Sequence, residues 1–472
     1  MPTWTLDWKR GPLEVRLPDD GTVTSIERPA TMPGRGSWLD VIAHAVDHPI
    51  GSPPLRDIVK AGDRVALLVT DMQDEILGQQ GVGDYLIDYL GAAGVDARSI
   101  TLIHAAGMHG HPGARAKIGE RIIGRVGAYI EHDPYDEPNL SFLGVTRLGT
   151  PVWVNRAAAE ADVVIGLGQC SPSLYGFQGG AGIILPGISA ADTIRYNHAR
   201  ILTTRTNSAW GLGNPMREDV MDVGDLARLR FKIDCAAGIP LILSSTPHGA
   251  AATETANAAF AGYFREEWPV AVSYVEANTM AAVDPADIYV FSPGRAPALM
   301  NSIYMAIESA VRATHQDGVI IAVVSAYDHT PFPPRPLAET MAEFRYVTRR
   351  WCEETGDDNP MHAYWHHRDG VCKTELLGRS LEEISRVIAR FDGEPRSTTH
   401  IWSHRRSIES RRCILVSEGV PPADGAAMGF VATYADFESA YRHARDLVQP
   451  GARVLANMPP GGAIPFVRNP AP

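Results

Sequence analysis

Residues 161–198 read ADVVIGLGQCSPSLYGFQGGAGIILPGISAADTIRYNH, an apolar run, a glycine-rich segment and a polar helical segment in succession. Residues 162–168 form a short, β-branched apolar run closing on glycine, the composition and length of a buried strand. The loop that follows carries Gly176, Gly179, Gly180 and Gly182, where glycine permits positive φ and close approach of backbone to a ligand. After Pro186-Gly187, Ser189 is placed to N-cap a helix bearing Asp192, Arg195, Tyr196 and His198. A glycine loop between strand and helix offers backbone N–H groups to a phosphate or carboxylate. The plainer alternative is a tight connection with no ligand.

Working outward, 472 residues exceed one ordinary core, so two α/β domains are expected, with a boundary at Asp284-Pro285. That gives residues 1–284 and 285–472, the last segment packing back on the first domain. Hydrophobic content of 45% with 21% charge suits a soluble globular chain. The net charge of −12 argues against a nucleic-acid binder and against an anionic membrane surface. Five cysteines (Cys170, Cys235, Cys352, Cys372, Cys413) without a CxxC pair suit a reducing cytoplasm. The first residues have no apolar core of a signal peptide, and the longest apolar run, 318–327, is far short of a membrane span. The expected partner is a small-molecule substrate, in a cytoplasmic protein; a homo-oligomer is compatible with this reading.

Residues 63–70 read as a buried strand ending on Asp71, where open α/β sheets bind ligands; capping the next turn is the competing role. Asp74 and Glu75 add negative charge, which without a cation raises carboxylate pKa values. Residues 99–103 form the next strand and lead into His104, His109 and His111, the densest titratable cluster in the chain. Imidazole suits proton transfer near neutral pH and metal binding, but the spacing matches no zinc pattern and HExxH is absent. His132-Asp133 repeats the theme after residues 128–131, with Asp133 placed to orient an imidazole. Residues 225–232 and 251–267 read as helices, the second with Phe260 and Phe264 on one face. Further on, residues 286–291 and 318–324 read as strands and 301–314 as a helix. His362 and His366 would share a helical face, as a metal pair or as solvated surface.

Several stretches, in order across residues 45–330, together resemble the nickel-pincer lactate racemase family. They are His48-Pro49-Ile50-Gly51-Ser52-Pro53-Pro54-Leu55, Gly107-Met108-His109, Gly149-Thr150-Pro151-Val152-Trp153-Val154-Asn155, Ala161 to Gly166, Gly179-Gly180 with Ile184-Leu185-Pro186-Gly187-Ile188, Asn197-His198 and Gly213-Asn214-Pro215. The resemblance implies two α/β domains with the active site in the cleft between them. It also implies abstraction of a hydride or proton equivalent from the Cα of a 2-hydroxyacid by a nickel-bearing modified nicotinamide mononucleotide. In that family two histidines trade the hydroxyl proton, an arginine grips the carboxylate, a lysine tethers the cofactor and another histidine binds nickel. Carried over, His109 takes the place of the first acid/base histidine, His198 that of the nickel ligand, and Asp71 opens the Asp-x-Thr-Arg motif.

The departures are as informative. Asp74 stands where the arginine belongs, and would repel a carboxylate. Ser173 stands in the region of the second acid/base histidine, and Gly-Gly-Arg-Lys becomes Gly179-Gly180-Ala181-Gly182, so the tethering lysine is replaced by Gly182. Three readings follow. In the first, an isomerase, epimerase or lyase uses His109, helped by His104, His111 or Asp71, while Asp74, Ser173, Tyr175, Gln178, Gly179, Gly180 and Gly182 bind substrate or an unknown cofactor. The second is a nickel-pincer-dependent 2-hydroxyacid racemase or epimerase holding its nucleotide noncovalently, with His198 on the metal. The third is a non-catalytic ligand-binding paralogue.

Overall fold

The computed structural model describes residues 2–6, 8, 11–27, 36–71, 73–108, 113–203, 213–237, 257–293, 299–326, 376–391, 395–458 and 464–467. Two six-stranded sheets organise it. The first runs in the order Asn257–Gly262, Leu229–Ala237, Val163–Cys170, Val65–Val69, Ile100–His104, Ala128–Glu131. All its neighbours are parallel except the antiparallel edge strand Asn257–Gly262. The second runs Ala432–Tyr434, Arg412–Val416, Thr314–Val323, Ala286–Phe291, Val454–Asn457, Val23–Ser25, parallel throughout.

Parallel strands are covered on both faces, which is why they appear in the sequence as unbroken apolar runs. Val65–Val69 is buried at every position. Its successive side chains point to opposite faces. Ala66 and Leu68 therefore join the core containing Ile103 and Val164, while Val65, Leu67 and Val69 join the one containing Ile100 and Leu102. The expected strands at 63–70, 99–103, 128–131, 162–168, 286–291 and 318–324, and the helix at 301–314, correspond to elements within a few residues.

Two expected helices differ. Residues 225–232 straddle the end of a helix, Pro215–Leu226, and the start of the strand Leu229–Ala237. Arg228, at φ 53°, turns the chain between them. Alternating Leu229, Phe231 and Ile233 then serve a sheet because Val163–Cys170 is there to pair with. In 251–267, residues 251–256 lie outside the described ones; Asn257–Gly262 is the edge strand and the helix is Phe264–Thr279. Phe260 and Phe264 share one core from two different elements. The helix after the glycine loop, Ala191–Ala199, is N-capped at Ala190 without a side-chain bond; the Ser189 hydroxyl donates to Ile184 O at 2.7 Å instead.

The ends of the chain cross between the halves. Val23–Ser25 extends the second sheet, and Leu6, Trp8, Val15 and Leu17 pack with Ile288 and Val290, so the first residues go with that sheet rather than with the rest of 1–284. Ile464–Val467 pairs with Met280–Val283. Leu174, Ile201 and Met216, from around the glycine loop, are built into the core of the second sheet. No helix among the described residues is long and apolar enough to cross a membrane. His362, His366 and the strand end at Asp328-His329 lie outside the described residues.

Candidate active site

The strand Val65–Val69 runs into a turn in which the Thr70 hydroxyl donates to Gln73 Oε1 and Gln73 N donates to Thr70 O at 2.9 Å. That turn sets Asp74 as the first residue of the helix Asp74–Gln79. On the neighbouring strand His104 is in register with Val69. The two meet: His104 Nε2 lies 3.2 Å from Asp74 Oδ2, with side chains 3% and 0% exposed. Burial raises the Asp74 pKa, opposed by His104 and reinforced by Asp71. For His104 burial alone would lower the pKa, but the close approach and charge of Asp74, with Asp71 and Glu131, outweigh it and raise it. A pair in which both members bind a proton more readily than in water is suited to holding and passing one. Asp71, Asp74 and His104 are thus brought together, while His109 and His111 lie outside the described residues.

His132 is different. It is buried, Nε2 donates to Ser189 O at 3.0 Å, and burial lowers its pKa to about 4. Asp133 accepts from Tyr135 N at 2.8 Å. His132 is a neutral imidazole that fixes the chain at Ser189, not the acid–base group expected from the dipeptide.

The glycine loop does have the expected backbone: Gly179 and Gly180 sit at φ 98° and 53°. Three of its N–H groups, however, are already engaged. Gln178 N donates to Ser171 O at 2.7 Å, Gly182 N to Gly179 O at 3.0 Å, and Gly180 N to the Asp234 carboxylate at 2.7 Å. The chain's own carboxylate thus sits where a ligand anion was expected. Asp234 pairs in turn with Lys232, whose Nζ also donates to Ile233 O at 2.8 Å; both side chains are fully buried. Room for the lysine comes from the two strand glycines. A Cβ at Gly168 would lie 2.9 Å from Nζ, and one at Gly166 3.1 Å from Cδ. Glu267 is buried near Asp234; burial first, then that carboxylate, pushes its pKa well up.

Ser173, Tyr175 and His198 form a third group. Tyr175 packs its ring 4.4 Å from that of His198 and 5.8 Å from that of His400, and its hydroxyl bonds Thr399 on the helix Pro395–Glu409. Ser173 Oγ accepts from Tyr175 N at 3.3 Å. Asn197 Nδ2 donates to Asp219 Oδ2 at 2.8 Å, which turns Asn197 Oδ1 toward His198 Nδ1 at 3.2 Å. Nδ1 is therefore the protonated nitrogen and Nε2 the acceptor. The segments that follow the carboxyl ends of these interior strands touch one another: Gly107 N donates to Gly187 O at 2.9 Å, and Gln73 Nε2 to Gln169 Oε1 at 3.4 Å.

With this geometry in hand, the comparisons are consistent with one another. The lactate racemase N-terminal domain profile matches residues 8–211. The lactate racemase of Thermoanaerobacterium thermosaccharolyticum is 24% identical over 294 residues, 61% of this chain and 65% of that protein, so the match spans just under two thirds of its length. The lactate racemase of Lactiplantibacillus plantarum is 26% identical over 313 residues, 64% of this chain and 70% of that protein. The lactate racemase apoprotein structure from T. thermosaccharolyticum superposes with a TM-score of 0.71 at 18% identity, covering 99% of this chain and 100% of that one. The chain is lactate-racemase-like.

A Thermotoga maritima crystal structure has a TM-score of 0.50 at 14% identity, covering 93% of this chain and 100% of its own. In this lactate-racemase-like chain, Gly182 offers no amine for a covalent tether, and a Cβ there would meet the Arg217 guanidinium at 3.6 Å. Among the described residues no three His, Cys, Asp or Glu side chains converge as a metal site. At position 182, then, the chain lacks the amine that a covalently tethered nickel-pincer nucleotide would need there. Lys232, Asp234, Glu267 and Arg217 were not singled out from the sequence. The signal was there, in charged residues embedded in Phe231-Lys232-Ile233-Asp234-Cys235, an otherwise apolar run.

Proposed function

We propose that this chain is an isomerase of the racemase or epimerase kind, or a lyase, that moves a proton on a small polar metabolite without a covalently tethered nickel-pincer cofactor. The observation that carries the reading is the contact of His104 Nε2 with Asp74 Oδ2 at 3.2 Å, buried at the carboxyl end of the first sheet. Asp74 and Asp71 favour the protonated imidazole, so His104 acts as the acid in one direction and, once neutral, as the base in the other. His109 follows five residues later, after the Gly107 turn at φ 55°, and is the second acid/base group in this reading. Asp74 disfavours a carboxylate beside it, which points to a neutral, amidic or cationic group at the reacting carbon. The relatives' lactate racemase names support the reaction type.

The test combines cofactor and chemistry on native protein. Metal content and small-molecule mass are measured on protein from a host able to make the pincer nucleotide. Solvent deuterium incorporation is then followed into a panel of 2-hydroxyacids and their amides. The expected result is no stoichiometric nickel or nucleotide, and exchange into an amide or neutral substrate that falls at least about 100-fold in His104→Ala. Stoichiometric nickel with its nucleotide would replace this reading with the noncovalent nickel-pincer one. Exchange unchanged in His104→Ala would remove the pair from the mechanism.

A further inference from the structure

Arg217 is a buried cation whose position the fold does not explain. It is 6% exposed and lies in the first turn of the helix Pro215–Leu226, where the helix dipole disfavours positive charge. One face of its guanidinium lies over the Trp268 ring, 5.1 Å from the centroid. Nη2 donates to Gly179 O at 2.6 Å, and Nε is buried with no partner. No carboxylate among the described residues comes within ion-pair distance. The acids around it are committed elsewhere: Asp234 to Lys232 and Gly180 N, Glu218 to the Arg265 side at 3.8 Å. Burial lowers the Arg217 pKa to about 10, which leaves it fully charged at neutral pH.

Gly182 is partly exposed, and a Cβ built on it would meet, among the described residues, Arg217 Nη1 at 3.6 Å and Nη2 at 3.7 Å and nothing else within 4 Å. Among the described residues, the missing side chain at 182 thus leaves the guanidinium edge without a covering side chain at that position. Lys232 beneath the same loop is paired with Asp234, so that carboxylate is not available to the guanidinium.

We propose that Arg217 is an oxyanion-binding residue, and that a carboxylate or phosphate group of a small molecule enters over Gly182 to pair with its guanidinium. A guanidinium offers such a group two parallel N–H donors, and an uncompensated buried charge gains most from a partner. The site supplies, on the helix Pro215–Leu226, the anion grip that Asp74 cannot give. It is independent of the acid–base pair: loss of this binding leaves His104 chemistry standing, and inactivity of His104→Ala leaves the binding unchanged.

The experiment is calorimetric titration of the full chain with inorganic phosphate and, separately, with lactate. Arg217→Met, Arg217→Lys and Gly182→Glu are compared with wild type. Binding of at least one probe at about millimolar affinity or tighter is expected, weakened at least about tenfold in Arg217→Met and less in Arg217→Lys. Gly182→Glu places the chain's own carboxylate over the guanidinium; it is expected to fold and to block both probes, and decides the matter should Arg217→Met not fold. Phosphate binding without lactate identifies a phosphate group as the ligand, and the reverse a carboxylate. No binding of either probe to wild type, or binding in Gly182→Glu within about twofold of wild type, overturns the proposal.

Discussion

His104 and His132 stand side by side at the ends of adjacent strands, His132 N donating to His104 O at 3.2 Å, yet their environments shift them in opposite directions. His132 is desolvated, and neither its bond to Ser189 O nor the charge of Asp136 offsets that, so its folded pKa falls to about 4 from 6.5. Its contribution to stability is complete above pH 6.5 and is lost as pH falls toward 4, where the unfolded chain takes up a proton the folded one refuses. Urea unfolding of His132→Gln across that window is expected to lack this loss, whose slope is at most about 1.4 kcal/mol per pH unit. His104, raised above 6.5 by Asp74, contributes in the other sense: its stabilisation is complete below pH 6.5 and lost as pH rises through its folded value. In Asp74→Asn the His104 midpoint, followed by histidine-labelled NMR titration, is expected to fall. A midpoint that stays in place would show that Asp74 is not the partner that raises it. The sequence made this cluster visible as Asp71, Asp74 and His104, but not which histidine was acidic, since that depends on a carboxylate thirty residues away.

At the scale of the element, the strand Val163–Cys170 is shaped by its neighbour. Lys232 pairs in register with Gly166 and Asp234 with Gly168, and the glycines are the positions where the lysine stem crosses the sheet. Lys232→Met leaves Asp234 buried without its cation and is expected to cost about 3–5 kcal/mol in urea unfolding. Gly179→Ala forces a Cβ to within 2.8 Å of Asp234 Oδ2 at a φ of 98°, and is expected to cost about 1–3 kcal/mol. Smaller losses in both would mean that the loop is not held by Asp234. From sequence Gly166 and Gly168 read only as part of a buried strand closing on glycine, and residues 225–232 as helix. Apolar spacing there fits either period, and only pairing with Val163–Cys170 selects the strand.

Across the molecule, the two sheets are joined by more than a linker. Leu174, Ile201 and Met216 from the glycine-loop region lie in the core of the second sheet, Tyr175 bonds Thr399, and the chain ends cross between the halves. Calorimetric unfolding is therefore expected as one transition, and Leu174→Ala, at 2% exposure, is expected to lower stability by about 2–5 kcal/mol without splitting it. Two resolved transitions in the wild type would show that these shared contacts do not couple the halves.

The sequence by itself determined the α/β class, the succession of buried strands, the positive-φ glycine loop and the placing of Asp71, Asp74 and His104 at strand ends. All of these follow from local composition and period, which act over a few residues. Contacts across the fold settle that the Gly180 N–H is taken by Asp234, that His132 is neutral, that Val23–Ser25 joins the second sheet, and that Arg217 lies beneath Gly182 with no carboxylate partner among the described residues. Each of those depends on contacts between segments tens to hundreds of residues apart. Their burial sets the dielectric and the available partners, and no window of sequence contains that information.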